Sequence, residues 1–172
     1  MQTLIELLKI TIPGLLVLLA AYYVMDGMLK NEERRRFYEM KRNASKVLDP
    51  IRLTAYERFA LFLERINPES LILRVQSPGM TAVDLHVTLL TTIREEFEHN
   101  VSQQIYISPE LWAVIKNAKE SLIQFINTYS AKVPDNVPAI ELSKILIEAY
   151  NSMENAPIEV ALNILKKEVK AF

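Results

Sequence analysis

Glu96 and His99 stand three residues apart in the segment Ile93–Trp112, which gives the Glu-x-x-His spacing. Helical bundles use that spacing to bind iron or manganese when two helices each carry such a pair and further glutamates face the same core. The chain has one other histidine, His86, and no glutamate lies three residues before it. On a helix, Glu96 and His99 are predicted to lie opposite Phe97, on the polar face. The sequence therefore predicts no metal site and no cofactor.

Other catalytic chemistry has little support. The chain contains no cysteine, which excludes disulfides, thiolate metal sites and cysteine nucleophiles. Its serines and threonines form no nucleophile elbow and no phosphate loop. His86 is predicted to be half-buried and hydrogen-bonded. We therefore predict that the protein is not an enzyme and has no catalytic residues, with a membrane-tethered metal-dependent or hydrolytic enzyme using Glu96 and His99 as the alternative.

Uncharged polar and aromatic side chains follow His99. Such side chains make good contacts between helices or between proteins, because amides form hydrogen bonds without the desolvation cost of a charge. Two interpretations stay open, an internal network across Ser108-Pro109, which we favour, and a partner-binding surface. Trp112 is expected to be partly structural, and Gln103 is expected to be exposed. The candidate partner-binding residues are Asn100, Gln103, Gln104, Tyr106 and Trp112.

The strongest pattern in the sequence is the apolar segment near the start of the chain, which predicts a membrane-spanning helix. The segment from Ile10 to Met25 carries no charge, and Leu4–Met25 supplies the roughly 20 residues that a helix needs to cross a bilayer. Tyr22 and Tyr23 stand where interfacial aromatic residues are expected. Residues 1–29 are therefore predicted to be a single transmembrane anchor.

The segment Lys30–Lys46 is predicted to be a basic juxtamembrane stalk. It contains seven basic and three acidic residues, whereas the whole chain has a net charge of −1. The positive-inside rule places this side in the cytoplasm and the N-terminus outside. Whether the charges only set orientation or also contact anionic lipid headgroups stays open. The candidate lipid-facing residues are Arg34, Arg35, Arg36, Lys41 and Arg42.

Residues 47–172 are predicted to form a cytoplasmic helical domain, because 50% of the chain is hydrophobic, glycine is rare and prolines stand at apparent boundaries. Asp49-Pro50 predicts a helix start, and Ser77-Pro78-Gly79 predicts a turn. Met80–Tyr106 is predicted to be one long helix with a heptad-like apolar stripe of Val83, Val87, Leu90, Phe97 and Val101, flanked by Leu89 and Ile93. The fold class is thus all-α, with an N-terminal transmembrane helix and a basic stalk before a bundle of four or five helices.

Two blocks of the chain, Ala55–Val75 and Ile93–Ser108, following a membrane span, resemble single-span inner-membrane proteins of Bacteroidota that carry a domain of unknown function. The resemblance implies a helical inner-membrane protein. It implies no activity and no site residues.

These observations lead to one functional hypothesis and a related one. The protein is expected to be a non-enzymatic adaptor or accessory subunit of a bacterial inner-membrane protein complex, with a single span and a protein partner. A homo-oligomeric scaffold would share the same features. Nucleic acid is not an expected partner, because the domain after the stalk is mildly acidic.

Overall fold

The computed structural model describes the backbone of residues 2–171 and the side chains of residues 14–40, 42 and 45–171. The described chain is all-helical, and its only β-type pairing is an isolated bridge between Thr81 and Pro138. Six α-helices and one 3-10 helix follow in order. They are α1 (Gln2–Ile66), α2 (Pro68–Val75), α3 (Ala82–Asn100), the 3-10 helix (Val101–Tyr106), α4 (Pro109–Ser130), α5 (Ala139–Asn151) and α6 (Pro157–Ala171).

The chain divides into two units, Met1–Asp49 and Pro50–Phe172. The helix start predicted at Asp49-Pro50 is wrong, because α1 is helical on both sides of the proline. A proline inside a helix removes one backbone hydrogen bond, and this helix continues despite that loss. The Thr54 hydroxyl donates to the Pro50 carbonyl at 3.0 Å in the turn that follows.

The second unit is built around one hydrophobic core. It contains the last part of α1 and five further α-helices, rather than the four or five helices predicted. Every one of these helices contributes buried apolar side chains, and α4 also packs closely against α6. The largest fully buried side chains are Tyr56, Phe59, Phe62, Leu63, Ile66, Leu71, Ile72, Leu85, Leu89, Ile93, Leu111 and Ile115.

Prolines and their capping residues set several helix boundaries as predicted. The Asn67 side chain accepts a hydrogen bond from the backbone of Glu69 and so caps α2, with Pro68 as the first helical residue. Ser108 caps α4 in the same way, ahead of Pro109. The predicted turn at Ser77-Pro78-Gly79 is confirmed by the positive φ of 86° at Gly79, a conformation that favours glycine.

The predicted helix Met80–Tyr106 differs from the structure at both ends and in its buried face. Thr81 and Asp84 form a reciprocal capping box, so α3 begins at Ala82, and α3 ends at Asn100, before the 3-10 helix. The buried face of α3 consists of Ala82, Leu85, Leu89 and Ile93. The predicted stripe is wrong in Val83, Val87 and Val101, which are exposed, and only Leu90 and Phe97 are partly buried.

The predicted membrane span receives no support from the described part of the chain. Among residues whose side chains are described, the structure contains no helix with the length and hydropathy needed to cross a membrane. Residues 4–13 of the predicted span Leu4–Met25 lie outside those residues.

Candidate functional site

Glu96 is an ion-pairing residue between three helices, and not a member of an outward polar face. One carboxylate oxygen lies 2.6 Å from an Arg65 guanidinium nitrogen on α1 and 3.2 Å from one of Arg74 on α2. Only 17% of the Glu96 side chain is exposed. The carboxylate therefore joins α3 to α1 and α2, which corrects its predicted position.

His99 is exposed and does not share these contacts. Two guanidinium groups contact one oxygen of the Glu96 carboxylate, and their positive charge disfavours a metal cation beside it. Among the described residues there is no group of three or more histidine, aspartate or glutamate side chains that could hold a metal ion. The prediction for His86 is confirmed, since this half-buried side chain lies 2.7 Å from the Asn127 amide oxygen.

The end of α3, the 3-10 helix and the start of α4 form a corner, which contains all five candidate partner-binding residues. The Asn100 side chain donates to the Glu96 carbonyl at 2.8 Å, a hydrogen bond inside the last turn of α3. The Tyr106 carbonyl accepts from the Arg52 guanidinium at 3.2 Å. Gln103 is half-buried, contrary to its predicted exposure, and Gln104 is exposed. The corner is thus partly an internal network.

Trp112 belongs to the aromatic packing beneath this corner. Its ring stacks on Phe97 with centroids 5.3 Å apart and an interplanar angle of 13°, and it also contacts Phe59 at 5.8 Å. Lys119 places its ammonium group 4.4 Å from the centroid of Phe97. Stacked aromatic pairs and cations over ring faces both stabilise a packed cluster. The expectation that Trp112 is partly structural is confirmed.

The outer surface of the corner includes an apolar residue that the sequence analysis did not select. Ile105 is 73% exposed, next to the exposed Gln104. The sequence contains a signal for it, because Ile105 directly follows the polar residues Ser102, Gln103 and Gln104. An exposed aliphatic side chain beside an amide suits a protein contact.

A polar cluster surrounds Glu168 on α6, and the sequence alone did not predict it. Its carboxylate accepts hydrogen bonds from the Tyr56 hydroxyl at 2.9 Å, from the Ser108 backbone N–H at 3.1 Å and from the Ser108 hydroxyl. Arg52 donates to the same tyrosine oxygen at 3.4 Å. The cluster joins α1 and α6 to the start of α4.

The contacts within this cluster shift the pKa values of Glu168 and Tyr56. Partial burial alone would raise the pKa of Glu168, but the hydrogen bonds from Ser108 and Tyr56 and the positive charge of Arg52 lower the pKa below its ordinary value. Burial and the neighbouring Glu168 carboxylate raise the pKa of Tyr56. Glu168 is therefore held as a carboxylate, which suits its three donors.

An almost entirely apolar groove lies between α1 and α6 in the second unit. It has a volume of about 300 Å³, and its floor includes Leu53, Ala60, Leu165 and Val169. Charged side chains line its edges, among them Lys166. Sequence periodicity alone could not find this groove, because it depends on the pairing of helices that are a hundred residues apart.

The first unit exposes apolar side chains along α1. From Gly14 to Met25 every residue is exposed, and Leu18 reaches 68%. Large apolar side chains on this stretch are Leu15, Leu16, Val17, Leu18, Leu19, Tyr22, Tyr23, Val24 and Met25. Contiguous exposed apolar surfaces of this extent are unusual among monomeric soluble proteins.

The basic stalk residues follow this apolar stretch on the same helix. Arg34, Arg35 and Arg42 lie around Tyr38 on one face of α1. Arg35 pairs with Glu39, and Arg36 pairs with Glu32, each at 2.9 Å. Lys41 lies outside the residues whose side chains are described. The pairs are solvent-exposed, so each contributes little to stability.

Comparison with known proteins identifies the family and nothing beyond it. No curated protein and no solved structure shows significant similarity to the chain. Residues 2–172 match a family of unknown function, DUF7935. Because the match covers nearly the whole chain, the protein belongs to that family.

Proposed function

We propose that this member of a family of unknown function is a non-enzymatic helical adaptor, anchored in the bacterial inner membrane by the start of α1. The proposal makes it an accessory subunit of an inner-membrane protein complex, with its Pro50–Phe172 unit on the cytoplasmic side. The observation that carries the proposal is the exposed apolar surface of residues 14–25.

That surface favours lipid as the neighbour of α1. Apolar area is stabilised by about 25 cal/mol for each Å² removed from water, so a run of exposed leucine and valine side chains needs a cover. The run has no polar stripe, because residues on all sides of the helix, from Leu15 to Val24, are apolar. A hydrocarbon environment covers a helix on all sides.

The basic residues after this run support the orientation. The seven basic residues of the segment Lys30–Lys46 would remain on the cytoplasmic side under the positive-inside rule. Arg34, Arg35 and Arg42 share a face with Tyr38, which suits contact with anionic headgroups. The resemblance to inner-membrane proteins of Bacteroidota supports the same setting.

The adaptor role rests on the second unit. Two of its partly buried carboxylates, Glu96 and Glu168, connect helices and so stabilise the fold. Its surface offers two places for a protein partner, the Gln104–Ile105 edge of the corner and the apolar groove between α1 and α6. Both are surfaces for docking, which is what an accessory subunit requires.

Membrane fractionation of the full chain tests the anchor. Leu16→Asp combined with Leu19→Asp should move the protein from the pelleted membranes to the supernatant, because each aspartate at a span centre costs about 2.5–3.5 kcal/mol. Val87→Asp is the matched control, since Val87 is 58% exposed on α3. A wild-type chain found in the supernatant would refute the anchor.

Two further measurements complete the test. A reporter that is active only in the cytoplasm, fused after Phe172, should be active, and an inactive fusion that is still expressed would refute the orientation. A chain beginning at Val47 should be soluble and strongly helical, because the second unit has its own core. Loss of cooperative melting in that shortened chain would contradict an independent adaptor domain.

A further inference from the structure

The stalk carries a second apolar feature, which differs from the run before it. Phe37, Met40 and Val47 are large apolar residues in a basic segment, and all are more than 60% exposed. With Ala44 between them in the sequence, they follow a spacing of three, four and three residues. The sequence continues this spacing to Ile51. Alternation of three and four residues is the a/d pattern of a coiled coil.

Several polar residues of the stalk occupy the other side of the helix. At 100° per residue, Arg35, Tyr38 and Arg42 lie roughly opposite the line through Phe37, Met40 and Val47. The ion pairs Arg35–Glu39 and Arg36–Glu32 already engage four charges of this stretch within one helix. Between Phe37 and Val47 the sequence has no charged residue at the positions of this line, and Arg36 and Lys41 are its neighbours in the helical order.

The width of the line indicates what covers it. A helix that lies on a membrane surface presents a broad apolar face. Here Arg36 borders the line on one side, and Glu33 ends it one turn before Phe37. A strict a/d line is the narrower seam that fits a second helix. A helix of the same sequence brings the same spacing, so a second copy fits in register.

We propose that the exposed residues Phe37, Met40 and Val47 lie in the seam of a parallel, in-register coiled coil between two copies of this chain. The helix is already formed in α1, so association does not have to order it. The proposal does not depend on the membrane anchor, since the seam residues follow the predicted span.

The charges around the seam give the dimer an unusual salt dependence. The stalk is strongly basic, and two parallel copies bring like charges close together. Added salt screens that repulsion, since the Debye length falls from about 10 Å at 0.1 M to about 3 Å at 1 M. Dimerisation through this seam should therefore strengthen with salt, whereas adsorption to anionic lipid should weaken.

Cysteine crosslinking tests the seam directly, because the full chain contains no cysteine of its own. Met40→Cys and Val47→Cys should each give a disulfide-linked dimer under mild oxidation in native membranes or detergent. Tyr38→Cys and Arg42→Cys are matched controls on the far face, where the Cα atoms of two copies lie more than about 7 Å apart and cannot be bridged. Disulfides between identical positions also require the parallel register.

A second substitution distinguishes the seam from other contacts. Adding Val47→Glu to Met40→Cys should abolish the crosslinked dimer, and adding Asn31→Glu, which changes the charge equally on the far face, should preserve it. Absence of crosslinking at positions 40 and 47, or equal crosslinking at all four positions, would overturn the proposal. Labelling of positions 40 and 47 by a lipid-phase probe without crosslinking would also overturn it, and would identify the membrane as the cover.

Discussion

Two stretches of α1 carry similar apolar side chains in different surroundings. Between Leu15 and Met25 leucine, valine and tyrosine side chains are exposed, whereas four large side chains near the end of α1, Tyr56, Phe59, Phe62 and Leu63, are almost completely buried. One continuous helix therefore contains both a surface that the chain itself covers and one that it does not. Hydrophobic content alone does not identify a core residue, because the partner that covers the residue decides its role.

The largest expected effect separates these two stretches. Phe59→Ala should lower the free energy of unfolding by about 3–5 kcal/mol, because it removes a fully buried ring beside Trp112. Leu18→Ala, the control in the exposed stretch, should change it by less than about 0.5 kcal/mol. Thermal melting of the full chain in detergent, followed by circular dichroism, measures both. Equal decreases in the free energy of unfolding of the two variants would contradict the distinction between a buried and an exposed stretch of α1.

An intermediate effect is expected for Trp112, which is partly buried against the core. Trp112→Ala should lower the free energy of unfolding by about 1–3 kcal/mol, since it removes the stack on Phe97 but no fully buried ring. Chemical denaturation monitored by circular dichroism checks this value. The control is Gln104→Ala, which should leave the midpoint unchanged. A wild-type midpoint for Trp112→Ala would place the ring outside the core.

A smaller and pH-dependent effect is expected for Glu168, which fastens the buried part of α1 to α6. Its pKa is lowered in the folded state, so its carboxylate stabilises the fold above the ordinary glutamate pKa of about 4.3 and loses that contribution as the pH falls through the folded pKa. Glu168→Gln should therefore be less stable than wild type at pH 7, by under about 1 kcal/mol because the group is partly solvated.

Melting curves of wild type and Glu168→Gln between pH 7 and pH 3 check this expectation. The two melting temperatures should converge toward the acidic end, as the Glu168 carboxylate becomes protonated. The control is Glu159→Gln, on the same helix but outside the cluster, which should show no such convergence. A difference that is constant with pH would mean that the charge of Glu168 is not what stabilises the contact.

The smallest effect on stability is expected at Ile105, the exposed residue of the corner. Ile105→Ala should change the free energy of unfolding by less than about 0.5 kcal/mol, as exposed positions usually do. If the corner binds a partner, the same variant should lose co-purification from native membranes, whereas Val87→Ala, also exposed, should keep it. Partners retained by Ile105→Ala would remove the corner from the candidate surfaces.

The sequence predicts those parts of the fold that depend on neighbours along the chain. Asn67-Pro68 and Ser108-Pro109 place helix starts correctly, because a cap and a proline act within one turn. Asp49-Pro50 carries the same signal but lies inside α1. A local signal for a helix start is therefore not sufficient where the residues before it are also helical.

The buried face of α3 and the ion pairs of Glu96 could not be predicted in this way. The row of Leu85, Leu89 and Ile93 and the row of Val83 and Val87 have equally good helical spacing, and only packing against α4 and α5 decides between them. Arg65 lies 31 residues from Glu96 in sequence, and Ser108 lies 60 residues from Glu168. Contacts at such separations depend on tertiary structure, which one sequence does not reveal.

The bridge between Thr81 and Pro138 should protect two loop amides of the second unit from hydrogen exchange. The Ala82 amide donates to the Val137 carbonyl and the Ala139 amide donates to the Met80 carbonyl, each at 2.9 Å, so two loops are clasped by a reciprocal pair of hydrogen bonds. The chain between the two loops contains α3, the 3-10 helix and α4. The two hydrogen bonds therefore hold the ends of this long segment together. These two amides, although they stand at loop ends, should exchange with deuterium as slowly as amides inside α3 and α4.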